Sequence, residues 1–96
     1  MELPALREAL VELARECGIS VRALRGAADA PGLASGPALV RGAPWIVLVA
    51  SDPVDAQIAA LAAGVVRFAR PQLDARYLPP AVRDALEREI QRHFPR

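Results

Sequence analysis

One continuous block, Pro37 to Ala69, constrains this chain more than any other part: PALVRGAPWIVLVASDPVDAQIAALAAGVVRFA. Its rhythm is strand, tight turn, buried strand, stop, and a very apolar helix. Arg41-Gly42 occupies the place of a two-residue hairpin turn, with Pro44 able to lengthen it. Trp45 to Ala50 is apolar on both faces, which predicts a central strand with cover on both sides or a partner chain. Ser51-Asp52-Pro53 stops it. Asp52 suits an N-cap, Pro53 the first helical position, and Asp55 the first turn near the positive dipole end.

The helix that follows is expected from about Pro53 to Ala69, with Pro71 ending it. Ile58, Leu61, Val65 and Phe68 form one stripe, widened by Ala59, Ala62, Val66 and Ala69. Asp52, Asp55, Gln57 and Arg67 mark its wet side. A helix this apolar is buried on more than one face. Gly64 in its interior costs about 1 kcal/mol relative to Ala, so close packing is expected there.

Outside the block, Leu3, Leu6, Leu10, Leu13 and Cys17 recur at spacings of three and four and predict a first helix over 3–17. Gly18 can take the left-handed conformation that ends it. Ile19 to Leu24 predicts a short strand. Leu33 to Val40 predicts a weaker one, interrupted by Gly36 and Pro37 and therefore at an edge or bulged. Gln72 to Pro80 is a connector pinned by Leu73, Tyr77 and Leu78. Val82, Leu86, Ile90 and Phe94 predict a last helix from about Pro80 to His93, with Arg83–Glu87 and Asp84–Arg88 as i,i+4 pairs. The order α-β-β-β-α-α in 96 residues implies one α+β domain over 1–96: a small, mainly antiparallel three-stranded sheet packed with three helices.

Composition excludes several classes. Hydrophobic residues make up 53% and charged residues 24%, which argues against disorder. The longest nearly apolar stretch, Ile58 to Val66, falls far short of the ~20 residues of a membrane span. The start carries Glu2, Arg7 and Glu8 and no apolar run, so no secretory signal is expected. One cysteine allows no internal disulfide, and a cytoplasmic location is the expectation. All twelve basic residues are Arg, and Asn is missing, a composition that suits a thermophile. A net charge of +1 selects no polyanion.

From Ile19 onward the chain resembles the minimal core of the ImmA/IrrE-type zinc peptidases, a zincin-like fold. The matching words are GISVRAL, GLASGPALVRG, and WIVLVASDP followed by AQIAALAAGVVRFA. The closing LPPAVRDALER is similar to that of a set of small bacterial proteins. In the peptidases the helix carries H-E-x-x-H. The alignment places its two histidines on Ala63 and Arg67 and its glutamate on Gly64. The resemblance therefore implies a metal-less scaffold whose zinc ligands and base are absent. VLVASDPVDAQIAALAAG also resembles the opening of a response-regulator receiver domain. That fold needs an acidic pair here and an aspartate on a later strand, and only Asp52 is present.

The candidate chemical residues each have a structural explanation. Cys17 falls on the leucine stripe at a helix C-terminus, which marks it for core packing. His93, the single histidine, sits between Arg92 and Phe94 near the chain end. Asp52 and Asp55 are accounted for as cap and dipole partners, and Ser51 has no nearby base. Arg88, Arg92 and Arg96 gather near the C-terminus, diluted by Glu87 and Glu89, with no aromatic platform for nucleic acid. No catalytic, cofactor or metal residue is therefore expected.

The reading that remains is a non-catalytic module that binds a protein partner or a second copy of itself, because the apolar content exceeds what a lone domain of this size hides. Trp45, Val47, Val49 and Val66 are the residues put forward for that interface. The rival is a small-ligand or enzymatic site formed by Gly26–Gly36 together with Asp74–Tyr77, including Arg76.

Overall fold

The structure, a computed structural model, describes residues 1–25 and 34–93. Helix α1 spans Leu3–Glu16, strand β1 Ser20–Leu24, β2 Gly36–Val40, β3 Ala43–Val49, helix α2 Val54–Leu73 and α3 Pro80–His93. The chain adopts the expected α+β class and the expected order of elements. The sheet runs β1-β3-β2, with the hairpin pair β2–β3 antiparallel and the pair β1–β3 parallel. Trp45 to Val49 is thus central, as its double-sided apolarity predicts. No helix among the described residues is long and apolar enough to cross a membrane.

Local chemistry sets each boundary. α1 ends in a two-bond cap. Gly18 has φ 82°, its N–H reaches the Arg15 carbonyl, and the Ile19 N–H reaches the Ala14 carbonyl, each at 3.0 Å. Ile19 is then buried beside the helix end as the chain enters β1. The hairpin closes on Arg41 and Gly42, both at positive φ (51° and 81°), with Val40 facing Ala43. This is the primed turn whose twist matches the strands.

Pro37 and Pro44 stand opposite Ile46 and Leu39. Counting out from the Val40–Ala43 pair, both are non-hydrogen-bonded positions of the hairpin, so neither proline removes a rung. Beyond Gly36 the ladder is continued by a side chain. Ser35 Oγ accepts the Val49 N–H at 2.8 Å, and the Asp52 carboxylate accepts the Ser35 hydroxyl at 2.7 Å and its N–H at 3.1 Å.

That clasp corrects the reading of Asp52. Its carboxylate is turned to Ser35, and the residue preceding α2 is Pro53, with extended ψ of 154° and no side-chain cap. Asp55 does take its expected place, accepting the Ala56 N–H in the first turn. Gln57, expected on a wet face, is 5% exposed. Its amide donates to the carbonyls of Val49 (3.3 Å) and Asp52 (3.0 Å) and accepts from the Arg7 guanidinium at 3.2 Å. A polar side chain is tolerated inside because these bonds replace those it makes with water.

Both α1 and α2 lie on one face of the sheet, the face of Val21, Ala23, Pro37, Ile46 and Leu48. α3 contacts α2 and α1 and not the sheet. α2 is therefore wrapped by strands, by α1 and by α3, which accounts for its all-round apolarity within a single chain. Leu10, Ile46, Leu61, Val65 and Val82 are the large side chains most completely enclosed. The expected stripe of α1 is carried by Leu6, Leu10 and Leu13, while Leu3 at its start is half in solvent. α2 loses helical geometry at Ala69 (φ −135°) and resumes for a short turn containing Pro71. A proline is free of cost in a first turn, which is why it follows the kink and does not end the segment.

At Gly64 the helix meets β3 most closely. A methyl group placed there would overlap Ile46 Cγ1 and Cδ1. Gly64→Ala gains about 1 kcal/mol of helix propensity and loses about 1–3 kcal/mol to overpacking. A net fall in urea midpoint is expected; in an Ile46→Ala background, which lacks both overlapping atoms, Gly64→Ala should cost less, measurable as a non-additive double-mutant cycle. Ser35→Ala leaves the Val49 N–H without its acceptor and the Asp52 carboxylate with only the backbone N–H of residue 35, and should cost about 1–3 kcal/mol by urea unfolding with an unchanged m-value.

Candidate functional site

A cleft of about 900 Å³ opens between β2 and the second half of α2, lined by Pro37, Ala63, Val66, Arg67, Arg70, Pro71 and Asp74. Six of these residues lie on α2 and its kinked end at spacings of three and four, which puts them on one side of the helix. Pro37 supplies the opposite wall from the edge strand. The floor is apolar and the rim carries two guanidinium groups and one carboxylate.

Of the residues in the rival sequence reading, Asp74 lines the cleft; Pro37, its other wall, lies one residue beyond Gly26–Gly36. Tyr77 is 84% exposed and does not line it, which corrects its expected role in pinning the connector. Leu78, buried, does the pinning, and Arg76 forms an ion pair with Glu16 at 2.7 Å that ties the connector to the end of α1. Residues 26–33 of the proposed loop site lie outside the described residues, as do Phe94 and Arg96.

Ala63 and Arg67, the two positions that the peptidase resemblance assigns to zinc histidines, both line this cleft. Gly64 points elsewhere, onto Ile46 in the core, where a glutamate side chain has no room. No group of three His, Cys, Asp or Glu that could hold a metal ion occurs among the described residues. An alanine, a glycine and an arginine offer neither a ligand set nor a base.

The other candidates are dispersed. Cys17 is half-buried at the end of α1, Ser51 is exposed in the turn after β3, and Asp52 is held by Ser35. His93 ends α3. Glu89, read from sequence as a charge diluting the arginines, is 4% exposed and lies 3.7 Å from Arg92. It faces a groove with Leu3, Leu6 and Ile58 between the helices. Its burial has no signal in the charge pattern, although its spacing of three from Leu86 puts it on the core side.

Of the four residues put forward as an interface, Val49 and Val66 are 2% and 8% exposed and have little surface to offer. Val66 is enclosed in the main core. Trp45 and Val47 are half-buried and, by strand alternation, point away from the helices. Arg22 on β1 points the same way, its guanidinium 5.0 Å from the Trp45 ring centroid.

Among known proteins, no family model, curated protein or solved structure matches this chain.

Zinc equilibration followed by dialysis should leave metal far below one equivalent per chain, measured by elemental analysis. One equivalent retained through dialysis would show a ligand set that the cleft residues do not provide.

Proposed function

We propose that this chain is a non-catalytic module that associates with a second copy of itself through the helix-free face of its sheet. The observation that supports this most directly is the position of Trp45 and Val47. They sit on the central strand, half in solvent, on a face that no helix among the described residues covers. Leu24 and Arg22 flank them on β1, and Ala38 and Val40 on β2 by the same alternation. An aromatic ring beside an arginine on an apolar strand face is the composition of an interface centre.

The apolar surplus expected from composition is thus reduced to this face, since α2 is satisfied internally. Three strands about 4.8 Å apart and five residues long give a patch of roughly 15 by 17 Å. That is well below the ~800 Å² per partner of a standard interface. Weak, reversible association follows. The resemblance to the zinc-peptidase core fits this reading as a scaffold that retains the strand and helix run while its ligand positions hold Ala63, Gly64 and Arg67. A cytoplasmic setting goes with it, since a lone cysteine asks for no oxidising compartment.

A second reading, a small-ligand module, is favoured by the convergence of Asp74 and Pro37 on one cleft.

Light scattering across a dilution series should show mass doubling, with a midpoint on the order of micromolar to hundreds of micromolar for an interface this small. Val47→Asp should remain a single chain at every concentration, with its far-UV circular dichroism retained. Trp45→Ser should weaken association in the same direction. A single-chain mass for the wild type up to millimolar concentration would overturn the reading.

A further inference from the structure

We propose that the outer edge of β1 takes up an extended peptide segment of another protein as an added strand, with an acidic side chain opposite Arg22 and an apolar one on either side of it. β1 stands at one edge of the sheet and pairs with β3. The Leu24 carbonyl accepts the Ala50 N–H at 2.7 Å. Backbone direction alternates along a strand, so Ser20, Arg22 and Leu24 turn their N–H and C=O groups to β3. Val21 and Ala23 turn theirs outward, and nothing among the described residues pairs with them. Strand addition at this edge is independent of association through the sheet face, because it uses backbone groups that the face does not present.

The two edges of the sheet are unlike. By the hairpin count, Pro37 and Leu39 direct their backbones away from β3, and Pro37 has no proton to give. A proline on an edge blunts it against strand addition. β1, Ser20–Leu24, holds none. A shelf also runs beside β1 on the helix side of the sheet. Val21 and Ala23 share there a groove of about 330 Å³ with Val11 of α1 and Leu48 of β3. Ala23 is exposed and Val21 half-buried. Residues of an added strand that stand opposite these two project to the same side, where apolar side chains extend the contact. Main-chain bonds then hold the segment and alternate side chains select it.

Arg22 selects the residue between them. It is exposed on the other side of the sheet, with its guanidinium 5.0 Å from the Trp45 ring centroid. It makes no ion pair among the described residues. In an antiparallel addition bonded through Val21 and Ala23, Arg22 occupies a non-hydrogen-bonded pair, where facing side chains come closest. Asp or Glu opposite it is favourable, and Lys or Arg is not. The same pairing disfavours a second copy of this chain as the occupant. The twofold register that uses Val21 and Ala23 of both copies sets one Arg22 against the other. A register centred on Val21 calls on Ile19, whose N–H is held by the Ala14 carbonyl at 3.0 Å. One centred on Ala23 calls on Arg25, beyond the end of the strand.

Titration of the ¹⁵N-labelled full chain with short capped peptides, at a dilution where its mass is that of a single copy, tests this. A peptide with Val-Glu-Val between serine and threonine flanks should shift the amides of Val21 and Ala23 and change the fluorescence of Trp45, the single tryptophan. Val-Lys-Val in its place should bind about tenfold more weakly, and Arg22→Glu should reverse the order of the two peptides. N-methylation of both valines removes the donors that face Val21 and Ala23 and should abolish binding. Equal affinity for the two peptides, or an unchanged order in Arg22→Glu, would overturn the acidic assignment. Binding retained by the N-methylated peptide, or no shift at Val21 and Ala23 at millimolar peptide, would overturn strand addition itself. Shifts of Val21 and Ala23 on concentrating the protein alone would make a second copy the occupant and overturn the proposal.

Discussion

The close seating of α2 on β3, made possible by Gly64 over Ile46, is the contact on which the rest of the molecule depends. A side chain at position 64 would push the helix off the strand, and Ile46 is wholly enclosed. With the helix this low, its remaining circumference is left to α1 and α3. The small residues Ala60, Ala62 and Ala69 allow neighbouring elements to approach the same helix. A chain of 96 residues thereby builds a sheet, a helical layer and a third helix outside it, around one buried element.

Two polar devices hold the ends of this arrangement. Ser35 and Asp52 extend the β2–β3 ladder by one rung where backbone pairing has run out. Gln57 binds the end of β3, the turn before α2 and the first helix at a single buried amide. Both act at the carboxyl end of β3, where chain direction reverses and backbone groups would otherwise be left without partners. No buried side-chain nitrogen or oxygen lacks a hydrogen-bond partner among the described residues. The polar groups near this turn are thus committed to architecture. The cleft beside α2 and the sheet face that no helix among the described residues covers lie away from this turn.

Much of the fold was legible because it is written in local signals. Gly18 after an amphipathic helix, Arg41-Gly42 between two strands, and WIVLVA bounded by turn residues each specify a conformation through their own sterics or periodicity. The misreadings share one cause. Asp52 and Gln57 were assigned from their position relative to a helix start, and each is claimed by a partner distant in the fold or in the chain: Ser35 across the hairpin, and Arg7 from the first helix. Tyr77 was read by type as an anchor, while the packing gave that place to Leu78. The cleft was half legible. Asp74 is a ligand candidate by type and place, but the cleft's wall from Pro37 depends on which strand stands beside the helix.

The sequence by itself determined the order of elements, the central place of Trp45–Val49 and the absence of a zinc ligand pair on the long helix, because these follow from residue type and spacing along the chain. Only the tertiary structure decided that β1 joins β3 in parallel, that one chain suffices to bury α2, and that Arg67 and Arg70 of that helix border a cleft beside Pro37. Burial is a property of what arrives from elsewhere in the chain, and a pattern of apolar residues states only that something must arrive.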